Sequence, residues 1–232
     1  YNEDEQRMLR RVVSDLPRFQ FEAASEEVYE HCYPLKQMDE TSVMFDLNYF
    51  KYCYLKLTGT EFHEIHLEHD FRQLCADLLA VEEVGFMYRD FQARNVMLKD
   101  GTPYYIDFQG GRRGPIYYDV ASFLWQASAK YSDALRQMLI DEYIASAQRY
   151  MHIDRADFMQ NLQLFVLFRT LQVLGAYGFR GLWERKKHFV DSIPQALENL
   201  SQCLQNGSCD RYPYLKETAL RLVQHSTTSF CH

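Results

Sequence analysis

The chain has 232 residues, a formal net charge of −7 at pH 7 and 47% hydrophobic residues, with only ten glycines and six prolines. This length leaves room for one large domain or two small ones, and the low glycine and proline content excludes fibrous and disordered classes. The acidic balance argues against a nucleic acid or an anionic lipid surface as a partner, because both are held mainly by basic side chains.

Composition also addresses membranes and redox chemistry. The most apolar stretch, residues 164–182, contains Arg169, Gln172 and Arg180, so we interpret it as a core helix and not as a membrane span. The six cysteines are scattered and form no C-x-x-C pair, which predicts reduced thiols in a cytoplasmic protein. The sequence begins with Tyr1 and shows no signal-peptide pattern, which suggests a fragment.

Helical periodicity dominates the first 85 residues. Four helices are predicted there, over residues 8–16, 28–35, 43–57 and 60–85. Pro17 and Gly59 are expected to end the first and third of them, Thr60 to cap the fourth and Gly85 to end it.

The pattern changes between residues 86 and 116. Val96-Met97-Leu98 and Tyr104-Tyr105-Ile106 flank an Asp-Gly pair, which predicts a β-hairpin, and residues 110–115 are expected to form an irregular loop. Five further helices are predicted, over residues 117–129, 133–149, 155–180, 184–204 and 213–225, with starts near Asp154 and Pro213. The predicted class is therefore mostly α with a short central β-hairpin.

Chemically reactive side chains cluster on both sides of this hairpin. Residues 88–95 read Tyr-Arg-Asp-Phe-Gln-Ala-Arg-Asn, and residues 106–109 read Ile-Asp-Phe-Gln. The first segment fits the H-R-D-x-x-x-x-N catalytic loop of kinases except that Tyr88 replaces His, and the second fits D-F-G except that Gln109 replaces Gly.

This pattern suits phosphoryl transfer. Mg²⁺ prefers oxygen ligands, which Asn95 and Asp107 supply, and Asp90 is placed to accept the proton of an attacking hydroxyl group. An ordinary hairpin with surface carboxylates and a pseudokinase without chemistry are the alternatives. The ordinary hairpin fits less well because the Arg-Asp and Asn pattern is followed by two predicted strands and an Asp-Phe pair. The pseudokinase fits less well because all three oxygen-bearing residues are present.

These motifs resemble those of the aminoglycoside phosphotransferase and choline kinase superfamily, which has a protein-kinase-like fold. Gly-Pro-Ile-Tyr-Tyr-Asp-Val-Ala-Ser-Phe-Leu at 114–124, with residues 169–177 and 192–194, is similar to the branch of anomeric N-acetylmuramate/N-acetylglucosamine kinases. The resemblance covers about residues 86–195. It implies ATP as co-substrate, Asp90 as catalytic base, Mg²⁺ on Asn95 and Asp107, and Asp119 as a structural carboxylate that braces the catalytic loop.

The resemblance also implies an organisation for the chain. Residues 1–232 would form one C-terminal lobe, with the catalytic loop and metal-binding turn at 86–119 and substrate-side helices at 120–225. The phosphate-covering N-terminal β lobe, expected in cis, is not recognisable, because the lysines before residue 86 lie in helical patterns and no glycine-rich loop precedes it.

Further residues are candidates to support the reaction or contact the substrate: Arg89, Arg94, Gln109, Arg112, Arg113, Asp119 and Arg169. Arg94 either steadies the transferred phosphoryl group or pairs with a neighbouring carboxylate. Arg112 and Arg113 either hold an anionic group or occupy a solvated loop tip. Arg169 is either a substrate contact or a buried partner for an acid.

Two other groups have less specific patterns. His63, His66 and His69 recur every three residues and fan around a helix, which predicts a solvated face. The many aromatic residues are expected to pack in the core, with a stacking platform as the alternative, and Asp46 and Tyr49 are candidates to face the cleft.

The sequence thus predicts an ATP-dependent phosphotransferase for a small-molecule hydroxyl group, with a sugar, and in particular an amino sugar, as the favoured acceptor. A kinase for an aminoglycoside, choline or homoserine is one alternative. A non-catalytic kinase-like module that binds nucleotide or a protein partner is the other.

Overall fold

The computed structural model describes residues 1–229, which divide into two compact units. The first unit contains Tyr1–Met38 and Val81–Leu162, and the second contains Asp39–Ala80 and the chain from Gln163 onward. The predicted class is confirmed, since 63% of the chain is helical and its sheets are small and antiparallel. The prediction of one single lobe stays a prediction.

The elements follow in chain order. The α-helices are α1 Glu3–Glu22, α2 Glu26–Glu30, α3 Glu40–Phe50, α4 Glu64–Leu79, α5 Tyr117–Leu124, α6 Asp133–Ala147, α7 Arg155–Tyr177, α8 Lys187–Val190, α9 Ile193–Gln205 and α10 Pro213–Ser229. The strands are β1 Val84–Met87, β2 Val96–Lys99, β3 Thr102–Tyr105 and β4 Arg112–Pro115. Two π-helical turns, Lys51–Leu55 and Gly178–Trp183, continue α3 and α7.

Helix α1 packs against α6 and β1 in the first unit, and the predicted stop at Pro17 is wrong. The helix continues beyond Pro17 because its second half is held by tertiary contacts. Gln20 is fully buried, donates a hydrogen bond to the Ile116 carbonyl at 2.9 Å and accepts one from the Tyr143 hydroxyl at 2.6 Å. These contacts offset the roughly 3 kcal/mol that a proline costs inside a helix.

Two antiparallel strand pairs belong to the first unit. The predicted hairpin is confirmed: β2 pairs with β3, and the turn residues Asp100 and Gly101 have φ values of 51° and 72°. The prediction of an irregular loop at 110–115 is wrong, because β4 pairs with β1. The backbone of Arg113 also bonds to the segment 36–38 on its other edge, which stabilises a strand whose Gly114 and Pro115 have low β-propensity.

Helix α4 of the second unit begins later and ends earlier than predicted. Thr60 does not cap it: the Thr60 hydroxyl lies 2.9 Å from the Thr58 hydroxyl, and the helix starts only after His63. The helix ends at Leu79, and the predicted last residue, Gly85, instead belongs to β1. The predicted start of α10 at Pro213 is confirmed, with Asp70 of α4 capping its first amides.

The prediction of Asp154 as the start of α7 is confirmed, since its carboxylate accepts hydrogen bonds from the amides of Ala156 and Asp157 at 2.8 and 3.0 Å. The single helix predicted over 184–204 is wrong; α8 and α9 replace it. The stretch Arg155–Trp183 is long and apolar enough to cross a membrane, yet 67% of its most apolar window is buried within the protein, as in a core helix.

The cysteines in the described residues, Cys32, Cys53, Cys75, Cys203 and Cys209, are free thiols, as predicted, and Cys231 lies outside these residues. His63, His66 and His69 are exposed, in agreement with the predicted solvated face. Within residues 1–229 we find no group of three or more His, Cys, Asp or Glu side chains arranged to hold a metal ion.

Candidate functional site

Two segments of the first unit approach each other beside the hairpin. Residues 88–95 follow β1, and residues 106–109 follow β3. The Tyr88 hydroxyl donates a hydrogen bond to the Ile106 carbonyl at 2.7 Å, and the Ile106 amide donates one to the Asn95 carbonyl at 3.0 Å. The hairpin therefore brings the two predicted motifs together at one end of β2 and β3.

Asp119 fixes the beginning of the first segment. This fully buried carboxylate on α5 accepts hydrogen bonds from the amide of Tyr88 at 2.7 Å and from the amide of Arg89 at 2.8 Å. Arg89 has a φ of 76°, a left-handed conformation that costs a non-glycine residue about 1–3 kcal/mol. The two charge-assisted bonds offset part of this strain and hold the backbone that leads into Asp90.

Asn95 is buried, and its side-chain amide nitrogen donates a hydrogen bond to the Asp90 carbonyl at 2.8 Å. This bond leaves the amide oxygen available. The carboxylates of Asp90 and Asp107 have neither a hydrogen bond nor an ion pair with any other described residue, and Asp107, with a φ of 71°, is exposed. The side-chain oxygen atoms of the buried Asn95 and the exposed Asp107 are of the kind that Mg²⁺ prefers, so this donor set fits the ion.

The Tyr88 side chain lies near these acidic groups. Burial raises the pKa of its phenol to about 12, and the negative charges of Asp119, Asp107 and Asp90 contribute to the same shift. The phenol therefore remains protonated and continues to donate its hydrogen bond to Ile106 at neutral pH. The position that holds His in the kinase pattern is thus filled by a neutral side chain that ties the two loops together.

The other candidates of the first unit differ in their surroundings. Arg94 is exposed and forms no ion pair with an acidic group in the described part of the chain. Gln109 is also exposed. Arg112 and Arg113 lie on the strand β4 and not in a loop, so the alternative of a solvated loop tip is wrong. Arg112 is buried and donates a hydrogen bond to the Gly110 carbonyl at 3.2 Å, whereas Arg113 lies 3.7 Å from a carboxylate oxygen of Glu26.

Arg169 lies in the second unit, on the part of α7 that follows Leu162. Its guanidinium donates a hydrogen bond to the side-chain oxygen of Gln172 at 2.6 Å, and the Gln172 amide nitrogen donates one to Asp46 at 2.6 Å. A buried glutamine thus connects Arg169 to an acidic side chain of the same unit.

One contact of the site escaped the sequence reasoning. The Gln126 side chain accepts a hydrogen bond from the amide of Ala93 at 3.1 Å and donates one to the Phe123 carbonyl at 2.7 Å, which anchors the segment 88–95 to the end of α5. An isolated glutamine after a helix carries no sequence signal for this role. The sequence shows only that a polar side chain follows several aromatic residues near Phe123.

Comparison with known proteins identifies the family. The profile of the phosphotransferase enzyme family matches residues 34–153, about half of the chain, and the chain belongs to this family. N-acetylmuramate/N-acetylglucosamine kinases are similar in sequence: 30% identity over 130 residues for the protein of Neisseria meningitidis serogroup B and 26% over 169 residues for that of Pseudomonas aeruginosa. These matches cover 55% and 69% of this chain, but only 39% and 49% of those proteins.

Solved structures agree on the fold. Choline kinase from Cryptosporidium parvum superimposes with a TM-score of 0.55 at 10% identity, covering 93% of this chain and 69% of that one. Amicoumacin kinase hAmiN, determined in complex with AMP-PNP, Ca²⁺ and Ami, gives a TM-score of 0.58 at 11% identity, covering 88% of this chain and 60% of that one. The fold is therefore that of the mostly helical C-terminal lobe of kinase-like proteins.

Proposed function

We propose that this chain carries the catalytic loop and the metal-binding turn of an ATP-dependent kinase for a small hydroxylated metabolite. One observation carries the proposal. The loop bearing Asp90 is fixed by Asp119 and tied to the turn bearing Asp107 through Tyr88, while the carboxylates of Asp90 and Asp107 themselves have no partner among the described residues. Groups so positioned and left accessible are typical of a catalytic site.

Asp90 would accept the proton of the substrate hydroxyl as its oxygen attacks the γ-phosphorus of ATP. The bond from that phosphorus to the bridging oxygen breaks, and ADP leaves. Asn95 and Asp107 would hold Mg²⁺, which when bound neutralises charge on the nucleotide phosphates. Since the family catalyses phosphotransfer by positioning and electrostatic stabilisation, the rigid connection between these loops is the main contribution of the fold.

Arg94 is the best-placed cation of the loop to steady the transferred phosphoryl group. It lies one residue before Asn95, is exposed and has no acidic partner in residues 1–229, so the alternative of a structural ion pair has no support. Arg113 already neighbours Glu26, and Arg112 is buried on β4, which makes both weaker candidates for phosphate contacts.

The acceptor we favour is an amino sugar, because three proteins of similar sequence are named as N-acetylmuramate/N-acetylglucosamine kinases. ATP as co-substrate is supported by the family and by the AMP-PNP in the amicoumacin kinase complex. We place the reaction in the cytoplasm, where ATP and reduced thiols occur together.

The test is an acceptor panel. The chain is incubated with Mg²⁺ and γ-labelled ATP together with N-acetylglucosamine, N-acetylmuramate, choline or an aminoglycoside, and labelled product is measured. We expect label on at least one of the two sugars and little on the other compounds. Label transfer to choline or the aminoglycoside alone would reject the sugar assignment, and no transfer to any acceptor would reject the proposed activity.

A further inference from the structure

One tyrosine attaches the β2–β3 hairpin to helix α1. Tyr105, the last residue of β3, donates a hydrogen bond from its hydroxyl to the Asp15 carboxylate at 2.8 Å. The Arg11 Nε donates to both oxygen atoms of the same carboxylate, at 3.1 and 3.2 Å. Because 90 residues separate Tyr105 from Asp15, their bond is a tertiary contact, and its charged acceptor makes it stronger than a bond between neutral groups.

The Tyr105 ring contacts both α1 and the segment 88–95. Its centroid lies 4.7 Å from that of Phe19 on α1, edge to face, and 5.7 Å from that of Phe91, with the planes 20° apart. Phe91 is buried and directly follows Asp90. The same side chain that bonds to α1 therefore packs against the immediate neighbour of the predicted base.

These contacts come from one face of α1. Asp15 and Phe19 are four residues apart, a spacing that places both side chains on the same side of a helix. The Phe19 ring also meets the Tyr88 ring edge to face, at 6.2 Å. Helix α1 is held in place one residue further on, where the buried Gln20 bonds to the Ile116 carbonyl. A fixed helix thus touches both segments of the candidate site.

The position of the Asp107 side chain depends on the backbone that carries it. The carboxylate itself has no hydrogen bond or ion pair with the other described residues. The backbone before it is held by the hydrogen bond from the Ile106 amide to the Asn95 carbonyl at 3.0 Å. The next attachment back along the chain is the Tyr105 side chain, two residues before Asp107.

We propose that Asp15 and Tyr105 are positioning residues of the candidate site, whose hydrogen bond uses α1 to fix the turn of Asp107 relative to the loop of Asp90. They act through the backbone and not on the reacting groups. A cation is bound best when its ligands are held in place by the residues behind them. That this turn binds a cation rests on the proposed function, whereas its attachment to α1 rests on the contacts above.

The first measurement is metal affinity without turnover. Mn²⁺, which takes the same oxygen ligands as Mg²⁺, is titrated into the chain without nucleotide, and electron paramagnetic resonance of the free ion gives the dissociation constant. Asp107→Asn shows which part of the binding belongs to the site. Tyr105→Phe removes only the hydroxyl and should weaken that part roughly threefold to tenfold, less than the loss of a group that bonds directly to a ligand. Asp15→Asn, which keeps an acceptor, should lose less affinity than Asp15→Ala.

Two other tyrosines make the same kind of bond outside the two motif segments. The Tyr150 hydroxyl donates to Glu22 of α1 at 2.8 Å, and the Tyr212 hydroxyl donates to Asp77 of the second unit at 2.6 Å. Tyr150→Phe and Tyr212→Phe therefore control for the loss of stability that follows the removal of such a bond, which is measured as the melting temperature. Both variants should keep the Mn²⁺ affinity of the parent.

Hydrogen exchange gives a second measurement that needs no metal. The Ile106 amide is protected by its bond to the Asn95 carbonyl, and this protection depends on how firmly the turn is held. In Tyr105→Phe the Ile106 amide should exchange several times faster than in the parent. In Tyr150→Phe, which leaves the hairpin attached to α1, its exchange should stay at the parent rate.

The outcomes separate this inference from the proposed function. If Asp107→Asn weakens Mn²⁺ binding, the metal comparison decides. A loss in Tyr105→Phe beyond that in the controls supports the inference, and equal affinity in Tyr105→Phe and the controls overturns it. If Asp107→Asn leaves Mn²⁺ binding unchanged, the metal site of the proposed function fails, and exchange at Ile106 decides. Faster exchange in Tyr105→Phe than in Tyr150→Phe then supports the inference, and equal exchange overturns it.

Discussion

Tyr88 stands where the kinase loop pattern has a histidine, and its hydroxyl connects the two loops of the site. We expect Tyr88→Phe to lower kcat by roughly tenfold to a hundredfold, since loss of this bond loosens the geometry between Asp90 and Asp107. The KM for the acceptor should change little. Steady-state kinetics with the phosphorylated product as readout test this, and Tyr88→His should recover part of the activity if a hydrogen-bond donor is what the position requires.

The raised pKa of Tyr88 also predicts a pH dependence with a definite sign. The folded state holds the phenol protonated to about pH 12, whereas an unfolded tyrosine ionises near pH 10. The stabilisation is therefore fully present below pH 10 and is lost as the pH rises towards 12. The free energy of unfolding of the parent should therefore fall between about pH 10 and 12, and it should fall less steeply in Tyr88→Phe, which has no phenol to ionise. Identical dependence of stability on pH in the two proteins would contradict the raised pKa of Tyr88.

Asp119 holds the backbone of Tyr88 and Arg89 through two hydrogen bonds. Asp119→Ala leaves the buried amides of Tyr88 and Arg89 without these acceptors and the strain at Arg89 uncompensated, so the free energy of unfolding should fall by about 2–4 kcal/mol. Chemical denaturation measures this change. Asp141→Ala, which removes an exposed carboxylate on α6 whose partner Arg155 is also exposed, is the control and should cost less than about 1 kcal/mol; equal losses would show that Asp119 does not hold the loop.

At the scale of the elements, close helix contact in the second unit depends on glycine. Replacing a helical glycine by alanine ordinarily stabilises a helix by about 1 kcal/mol. Gly178→Ala should instead destabilise the protein by about 2–4 kcal/mol, because the added methyl group overlaps the Cys53 carbonyl. Thermal unfolding tests this, with Gly110→Ala as the control, where the nearest atom to an added Cβ lies 3.7 Å away. A stability gain in Gly178→Ala would contradict the packing.

The sequence predicted those elements whose signals are local. The Asp-Gly turn, the capping carboxylate of Asp154 and the helical periodicity of α7 depend on neighbouring residues, and all three are confirmed. Elements that depend on distant partners were predicted wrongly. Helix α1 passes through Pro17 because Gln20 bonds far along the chain, and β4 forms because β1 lies beside it.

The same division holds for the candidate site. The spacing of Asp90, Asn95 and Asp107 is a local pattern, so the sequence could indicate these residues and the hairpin that brings them together. The roles of Gln126 and of the Tyr88 hydroxyl follow from hydrogen bonds to backbone groups 33 and 18 residues away, which no spacing rule reveals.

For the whole molecule, the net charge of −7 makes metal dependence a sharp test. A nucleoside triphosphate that approaches this acidic protein needs a cation, because its phosphates and the Asp107 carboxylate are both negatively charged. Adding excess chelator should abolish phosphoryl transfer, and Mg²⁺ should restore it. The melting temperature without nucleotide should stay the same, because the hydrogen bonds that hold the loops do not involve the free carboxylates. Full turnover in chelator would contradict the proposed roles of Asn95 and Asp107.

The most direct test of the account is transfer of label from γ-labelled ATP to N-acetylglucosamine or N-acetylmuramate by the parent chain and by Asp90→Asn. Removal of the base should lower kcat roughly a hundredfold or more, while nucleotide binding and the melting temperature remain close to those of the parent. Asp100→Asn, which changes an exposed carboxylate in the hairpin turn, should keep the parent rate. Unchanged turnover in Asp90→Asn would contradict the assignment of this site as the catalytic centre.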